Sequence, residues 1–188
     1  MKTFRSILNL TGAFLLANQG LTICQADEAP VRIMPLGDSI TQGCCSGSAV
    51  EGGYRNRLHD LLDSAGYTVD FVGTQSDVSN PALPDTDHQG MPGFQIEQLR
   101  AEIATWTKMV EDPDVILLHA GTNDFGAGAQ VSTVQNRLQN LIADLSALRP
   151  HSHIFVSTLI PRTDNPAFET LQNSFNLSLP QLVSDQVA

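Results

Sequence analysis

Cysteine, aromatic residues and positive charge are all scarce in this 188-residue chain, which has 3 Cys, 1 Trp, 2 Tyr and 10 Lys plus Arg against 20 Asp plus Glu. Adjacent Cys44 and Cys45, with Cys24 far upstream, do not supply the four spaced ligands of a structural zinc site. In an oxidising compartment that pair either closes a vicinal disulfide or stays as two thiols in a loop. The acidic excess, a formal −10, disfavours nucleic acid and anionic lipid as partners. No apolar run reaches the about 20 residues that cross a bilayer. Internal repeats and low-complexity tracts are absent, and the loop after the first strand-like run carries neither Gly-x-Gly-x-x-Gly nor a P-loop lysine. A nucleotide or flavin phosphate therefore has no cradle there.

The first 26 residues combine Lys2 and Arg5, an apolar stretch over 7–16, and Cys24-Gln25-Ala26 with small residues where a signal peptidase reads. They read as a cleaved export signal, the alternative being a buried N-terminal helix. Cleavage removes two of the basic residues and none of the acidic ones, and leaves 27–188 as one domain of a secreted, extracellular protein. Asn176-Leu177-Ser178 is a glycosylation acceptor if the source is eukaryotic.

Strand-like runs at 31–36, 68–73, 114–120 and 153–160 are short, apolar or branched, and bounded by Gly, Pro or Asp. Helical periodicity lies between them: Tyr54, Leu58, Leu61 and Leu62; Ile96, Leu99, Ile103 and Trp106; Val134, Leu138, Leu141, Ile142 and Leu145. A last helical stretch covers 167–183. The alternation predicts a parallel sheet wrapped by helices. Residues 74–92, rich in Asp, Ser, Asn and Pro, read as a long irregular loop of the kind that is commonly functional.

Three fragments fall where βα loops should leave that sheet: Gly37-Asp38-Ser39-Ile40-Thr41, Gly90-Met91-Pro92-Gly93 and Gly121-Thr122-Asn123-Asp124. Ligands of open parallel sheets sit at the carboxyl ends of the strands. Ser39 would bring a hydroxyl and a backbone N–H, Gly93 a second N–H, and Asn123 a side-chain amide. Three donors around a serine oxygen make an oxyanion hole, each worth about 3 to 4 kcal/mol in the transition state. Singly, each fragment also fits a helix cap, a loop turn or an Asx turn, and the joint placement is what favours chemistry. Asp38 and Asp124 fit the role of accepting backbone N–H bonds within their loops.

The segments Pro35-Leu36-Gly37-Asp38-Ser39-Ile40-Thr41, Gly52-Gly53-Tyr54-Arg55, His88-Gln89-Gly90-Met91-Pro92-Gly93 and His119-Ala120-Gly121-Thr122-Asn123-Asp124 resemble the first blocks of the SGNH hydrolase (GDSL esterase/lipase) superfamily. Within it they are most similar to carbohydrate esterase family 3, which deacetylates acetylated xylan. The resemblance implies a flavodoxin-like three-layer α/β/α sandwich with a parallel sheet. It implies Ser39 as catalytic nucleophile and Ser39, Gly93 and Asn123 as the oxyanion hole. No metal or cofactor is implied.

The family's Asp-x-x-His block, which supplies base and orienting carboxylate, has no counterpart after Ile160. The sequence thus predicts an SGNH domain over 27–188 that is C-terminally incomplete, lacking its fifth strand and last helix. Of the five histidines, His59, His151 and His153 are expected on the surface, while His88 and His119 are the weak candidates for a substitute base. The implied function is a secreted serine esterase acting on acyl, chiefly acetyl, esters of a small molecule or a polysaccharide such as acetylated xylan, impaired here for lack of its histidine. The alternative is a non-catalytic carbohydrate-binding protein on the same scaffold.

Overall fold

The computed structural model describes residues 29–44, 52–77, 83–160, 162 and 165–185. The expected export signal and Cys45 lie outside them.

The chain runs β1 (Val31–Gly37), α1 (Ser39–Gln42), α2 (Tyr54–Ser64), β2 (Val69–Phe71), β3 (Gln75–Ser76), β4 (Asp87–Gly90), α3 (Ile96–Met109), β5 (Val115–His119), α4 (Thr122–Gly126), α5 (Val131–Leu148), β6 (His153–Val156) and α6 (Pro166–Ser184). The sheet order is β3-β4-β1-β5-β6, with β2 paired to the first half of β1 and β4 to its end. All pairings are parallel except β3 with β4.

Successive residues of a strand point to opposite faces, and one face carries the larger core. Met34 and Leu36 of β1 and Ile116 and Leu118 of β5 meet Ile96, Leu99 and Ile103 of α3, Val134, Leu138 and Leu141 of α5, and Phe175 of α6. These are the periodic positions expected from the sequence, and each buried Leu, Ile or Phe contributes about 1.5 to 3 kcal/mol. Leu117 turns to the opposite face, where Leu58 and Leu61 of α2 and Phe155 of β6 border an apolar groove of about 570 Å³.

The expectation of an irregular 74–92 loop is corrected. The segment contains β3 and, at the heart of the sheet beside β1, β4. Its sequence, Asp-His-Gln-Gly, has no apolar pattern, yet His88, Gln89 and Gly90 are buried. Such burial is tolerated because the polar groups are paired. The Gln89 side-chain oxygen accepts the Thr74 N–H at 2.8 Å, and His88 is bonded at both ring nitrogens, as described below. The other strands agree in place with the apolar runs: β1 extends one residue further, to Gly37, while β2, β5 and β6 are shorter, β6 ending at Val156 rather than 160.

Candidate active site

Gly37 sets the geometry. In the sheet it is the cross-strand partner of Gly90 on one side and of His119 on the other. Three loops therefore leave three neighbouring strands at one level. The Met91 N–H continues the ladder to the Gly37 carbonyl at 2.8 Å. A methyl group at Gly37 would overlap the His119 carbonyl oxygen, and one at Gly90 would overlap the Gln42 nitrogen, so both positions demand glycine for close approach.

From Gly37 the chain turns directly into α1. Asp38 is its N-cap, the carboxylate accepting the Ile40 N–H at 2.9 Å, and Ser39 is the first helical residue. Ser39 is half-buried at the sheet edge. Residues 91–95 form an arch between β4 and α3, closed by a Phe94 N–H bond to the Met91 carbonyl at 3.1 Å. Gly93 stands exposed in it with φ +79°, a left-handed backbone. Asn123, in the first turn of α4, donates from its amide nitrogen to the Phe94 carbonyl at 2.9 Å. That bond joins the third loop to the second and leaves one amide hydrogen of Asn123 for another acceptor. The expected trio thus stands on three loops that emerge together.

Asp124 is fully buried, and both its oxygens are engaged. One accepts the Ile96 N–H at 3.0 Å and the other the Arg137 guanidinium at 2.7 Å. Asp38 holds a backbone N–H of its own loop as expected, whereas Asp124 holds one of a different element, the Ile96 N–H at the start of α3.

The two histidines near the loops differ. His88 Nδ1 accepts the Gly90 N–H at 3.0 Å, which places the proton on Nε2, 3.3 Å from the Asp77 carboxylate. Neither nitrogen is left for a serine. Burial, followed by the Arg55 charge, lowers its pKa below 6.5, with Asp77 opposing. His119 is also buried, and its Nδ1 lies 4.0 Å from Asp38, beyond hydrogen-bond reach. Among the described residues neither of its ring nitrogens has a hydrogen-bond partner. Burial lowers the His119 pKa against the pull of Asp38, and burial raises that of Asp38. His119 also lines the apolar groove, together with Ile40 and Tyr54. His151 and His153 are exposed, whereas His59 is half-buried against the Phe71 ring.

The Gly-Gly-Tyr-Arg fragment has a structural explanation. Arg55 is fully buried, donates to the carbonyls of Thr41, Gln42 and Thr86 at 2.9 to 3.2 Å, and pairs with Asp77. One cation thereby joins the end of α1 to the approach of β4. Asn176 is likewise engaged: its side-chain nitrogen and oxygen bond the Leu159 carbonyl and N–H, each at 2.8 Å. The nitrogen a glycan would take already holds the chain after β6.

Residues 36–185 match the GDSL-like Lipase/Acylhydrolase family. The chain belongs to that family. A Multidomain esterase from Ruminococcus flavefaciens is 35% identical over 156 residues, which cover 72% of this chain and 20% of that protein. The chain thus spans about a fifth of the length of that relative. Among solved structures, a family 3 carbohydrate esterase of Clostridium thermocellum superposes with TM-score 0.73 at 33% identity, over 85% of this chain and 73% of the other. A carbohydrate esterase family 3 protein from Talaromyces cellulolyticus gives 0.68 at 28% identity, over 82% and 73%. The mixed α/β fold, with its central sheet flanked by helices, is that of these neighbours.

Sequence reasoning alone passed over Arg137 and Asp77 in this GDSL-family chain. Each acts on a group outside its own element, Arg137 from the second turn of α5 and Asp77 from the polar stretch after β3. A basic residue on an otherwise apolar helical face was the one available signal for Arg137. No group of three or more His, Cys, Asp or Glu side chains among the described residues is placed to hold a metal.

Proposed function

We propose that the protein is a secreted serine esterase that removes acyl, chiefly acetyl, groups from carbohydrate such as acetylated xylan. The shared register of Gly90, Gly37 and His119 carries this reading, because it gathers Ser39, Gly93 and Asn123 at one sheet edge. Family membership and the two carbohydrate esterase neighbours support the ester class and the carbohydrate. Ser39 attacks the ester carbonyl, the alcohol leaves as the acyl-enzyme forms, and water then releases the acid. The N–H groups of Ser39 and Gly93 and the free amide hydrogen of Asn123 meet the oxyanion.

General-base assistance is weak in this arrangement. His88 is occupied, and His119 is a buried base without a hydrogen-bonded carboxylate to orient it. Residues 1–188 on their own therefore turn over slowly, by several orders of magnitude relative to a complete triad. The test is release of acetate from acetylated xylan and p-nitrophenyl acetate by the wild type and by Ser39→Ala. Ester hydrolysis above the uncatalysed rate that is lost in Ser39→Ala supports the nucleophile, the fold-loss being smaller than in a complete triad because the contributions of triad members do not add. Binding of xylan oligosaccharides without acetate release, unchanged in Ser39→Ala, would establish the alternative, a non-catalytic carbohydrate-binding protein, which the unassisted Ser39 favours.

A further inference from the structure

We propose that Arg137 is a positioning residue for the oxyanion hole, and that it fixes the separation of Gly93 and Asn123 by clamping Asp124 to the foot of the Gly93 arch. The proposal rests on the esterase reading above. The arch, residues 91–95, has two feet. The upstream foot is held by the Met91 N–H on the Gly37 carbonyl at 2.8 Å. The downstream foot is Gln95 and Ile96, where α3 begins, and no sheet bond reaches it.

Arg137 closes that foot from α5. Its Nη1 donates to the Gln95 side-chain oxygen at 3.1 Å and to Asp124 at 2.7 Å. The second oxygen of Asp124 takes the Ile96 N–H at 3.0 Å. Asp124 follows Asn123 directly, and Asn123 bonds the Phe94 carbonyl at 2.9 Å. The two donors are thus joined twice, once directly and once through the buried carboxylate. The second path depends on Arg137, because breaking a buried ion pair by removing one partner leaves the other buried and uncompensated. Without Arg137, the Asp124 carboxylate loses the partner of one oxygen and turns away from Ile96. The hold on Ile96 weakens, and the arch shifts relative to α4. A displacement of about 1 Å in a catalytic group costs up to about a hundredfold in rate.

A neighbouring ion pair supplies the control. Arg100 of α3 reaches Asp144 of α5 at 2.6 Å, so it also ties these two helices together without touching the arch or Asp124. Arg137→Met, Arg137→Lys and Arg100→Met are compared in the full chain by p-nitrophenyl acetate kinetics and by the NMR resonances of the Gly93 N–H and the Asn123 side-chain amide. Arg137→Met should lower kcat by about tenfold to a hundredfold with KM within twofold. It should move both resonances, with partial recovery in Arg137→Lys, while Arg100→Met leaves kcat and both resonances unchanged. Equal effects of Arg137→Met and Arg100→Met, or unmoved resonances in Arg137→Met, would overturn the proposal. If the wild type hydrolyses no ester, the esterase reading fails by itself, and the resonances alone decide whether Arg137 holds the two donors together.

Discussion

At the scale of single residues, the site depends on backbone positions as much as on side chains. Gly93 has φ +79° and nothing within 4 Å of where a Cβ would stand, so alanine there meets strain without a clash. Gly93→Ala should cost about 1 to 2 kcal/mol in urea unfolding, and Gly93→Asn less; equal stability of all three would refute the assigned geometry. Asn123→Ala should lower kcat about a hundredfold to a thousandfold with little change in KM, because the donor acts on charge that develops in the transition state. A change confined to KM would instead place Asn123 in ground-state binding. His88 gives a pH signature. Burial and then Arg55 depress its pKa below 6.5, so under pH 6.5 the unfolded chain binds a proton that the folded chain does not. Stability is therefore greatest above pH 6.5 and falls as pH drops below it, by at most about 1.4 kcal/mol per pH unit from this group. His88→Gln should be less stable than wild type at pH 7.5 and lose less stability between pH 6.5 and 5.5. An unchanged slope would show that His88 titrates normally.

Among the elements, α3, α5 and α6 are legible from apolar spacing, and β1, β5 and β6 from short branched runs, because all of them meet one large core. The strand β4 is not legible. Asp87, His88 and Gln89 read as part of an irregular loop, and what holds them in the sheet is hydrogen bonding to Thr74, Asp77 and Gly90, groups that no periodicity brings together. The site divides in the same way: the loops that carry Ser39, Gly93 and Asn123 stand out as motifs, whereas Arg137, acting from a separate helix, does not. Within α6, Pro180 stands exposed in the helix interior, lacks an N–H and leaves the Asn176 carbonyl without its helical partner. Pro180→Ala should stabilise the protein by up to about 3 kcal/mol, read as a rise in thermal midpoint. A fall would mean that Pro180 helps set Asn176 against Leu159.

For the molecule as a whole, the sheet has unequal edges. On one side β4 is bordered by β3, while β6 is paired only with β5 among the described residues, and Phe155 and Ile160 are exposed beside the apolar groove. An unpaired apolar strand is a template for association. Light scattering should show the wild type self-associating with rising concentration and Phe155→Lys remaining monomeric. A wild type that stays monomeric across that range would refute the role of this edge. The Gly37 register carries a different consequence, for how such a protein diversifies. Each strand residue advances the chain by about 3.3 Å and reverses its facing. One residue inserted upstream of Gly37, Gly90 or His119 would carry a donor away from the others and turn it over. Inserted after those points, in the loop 127–130 between α4 and α5, the same residue leaves the register of the three strands untouched. Descendants of this chain can therefore change length through that loop, while these three strands admit neither insertion nor deletion, nor any residue but glycine at 37 and 90.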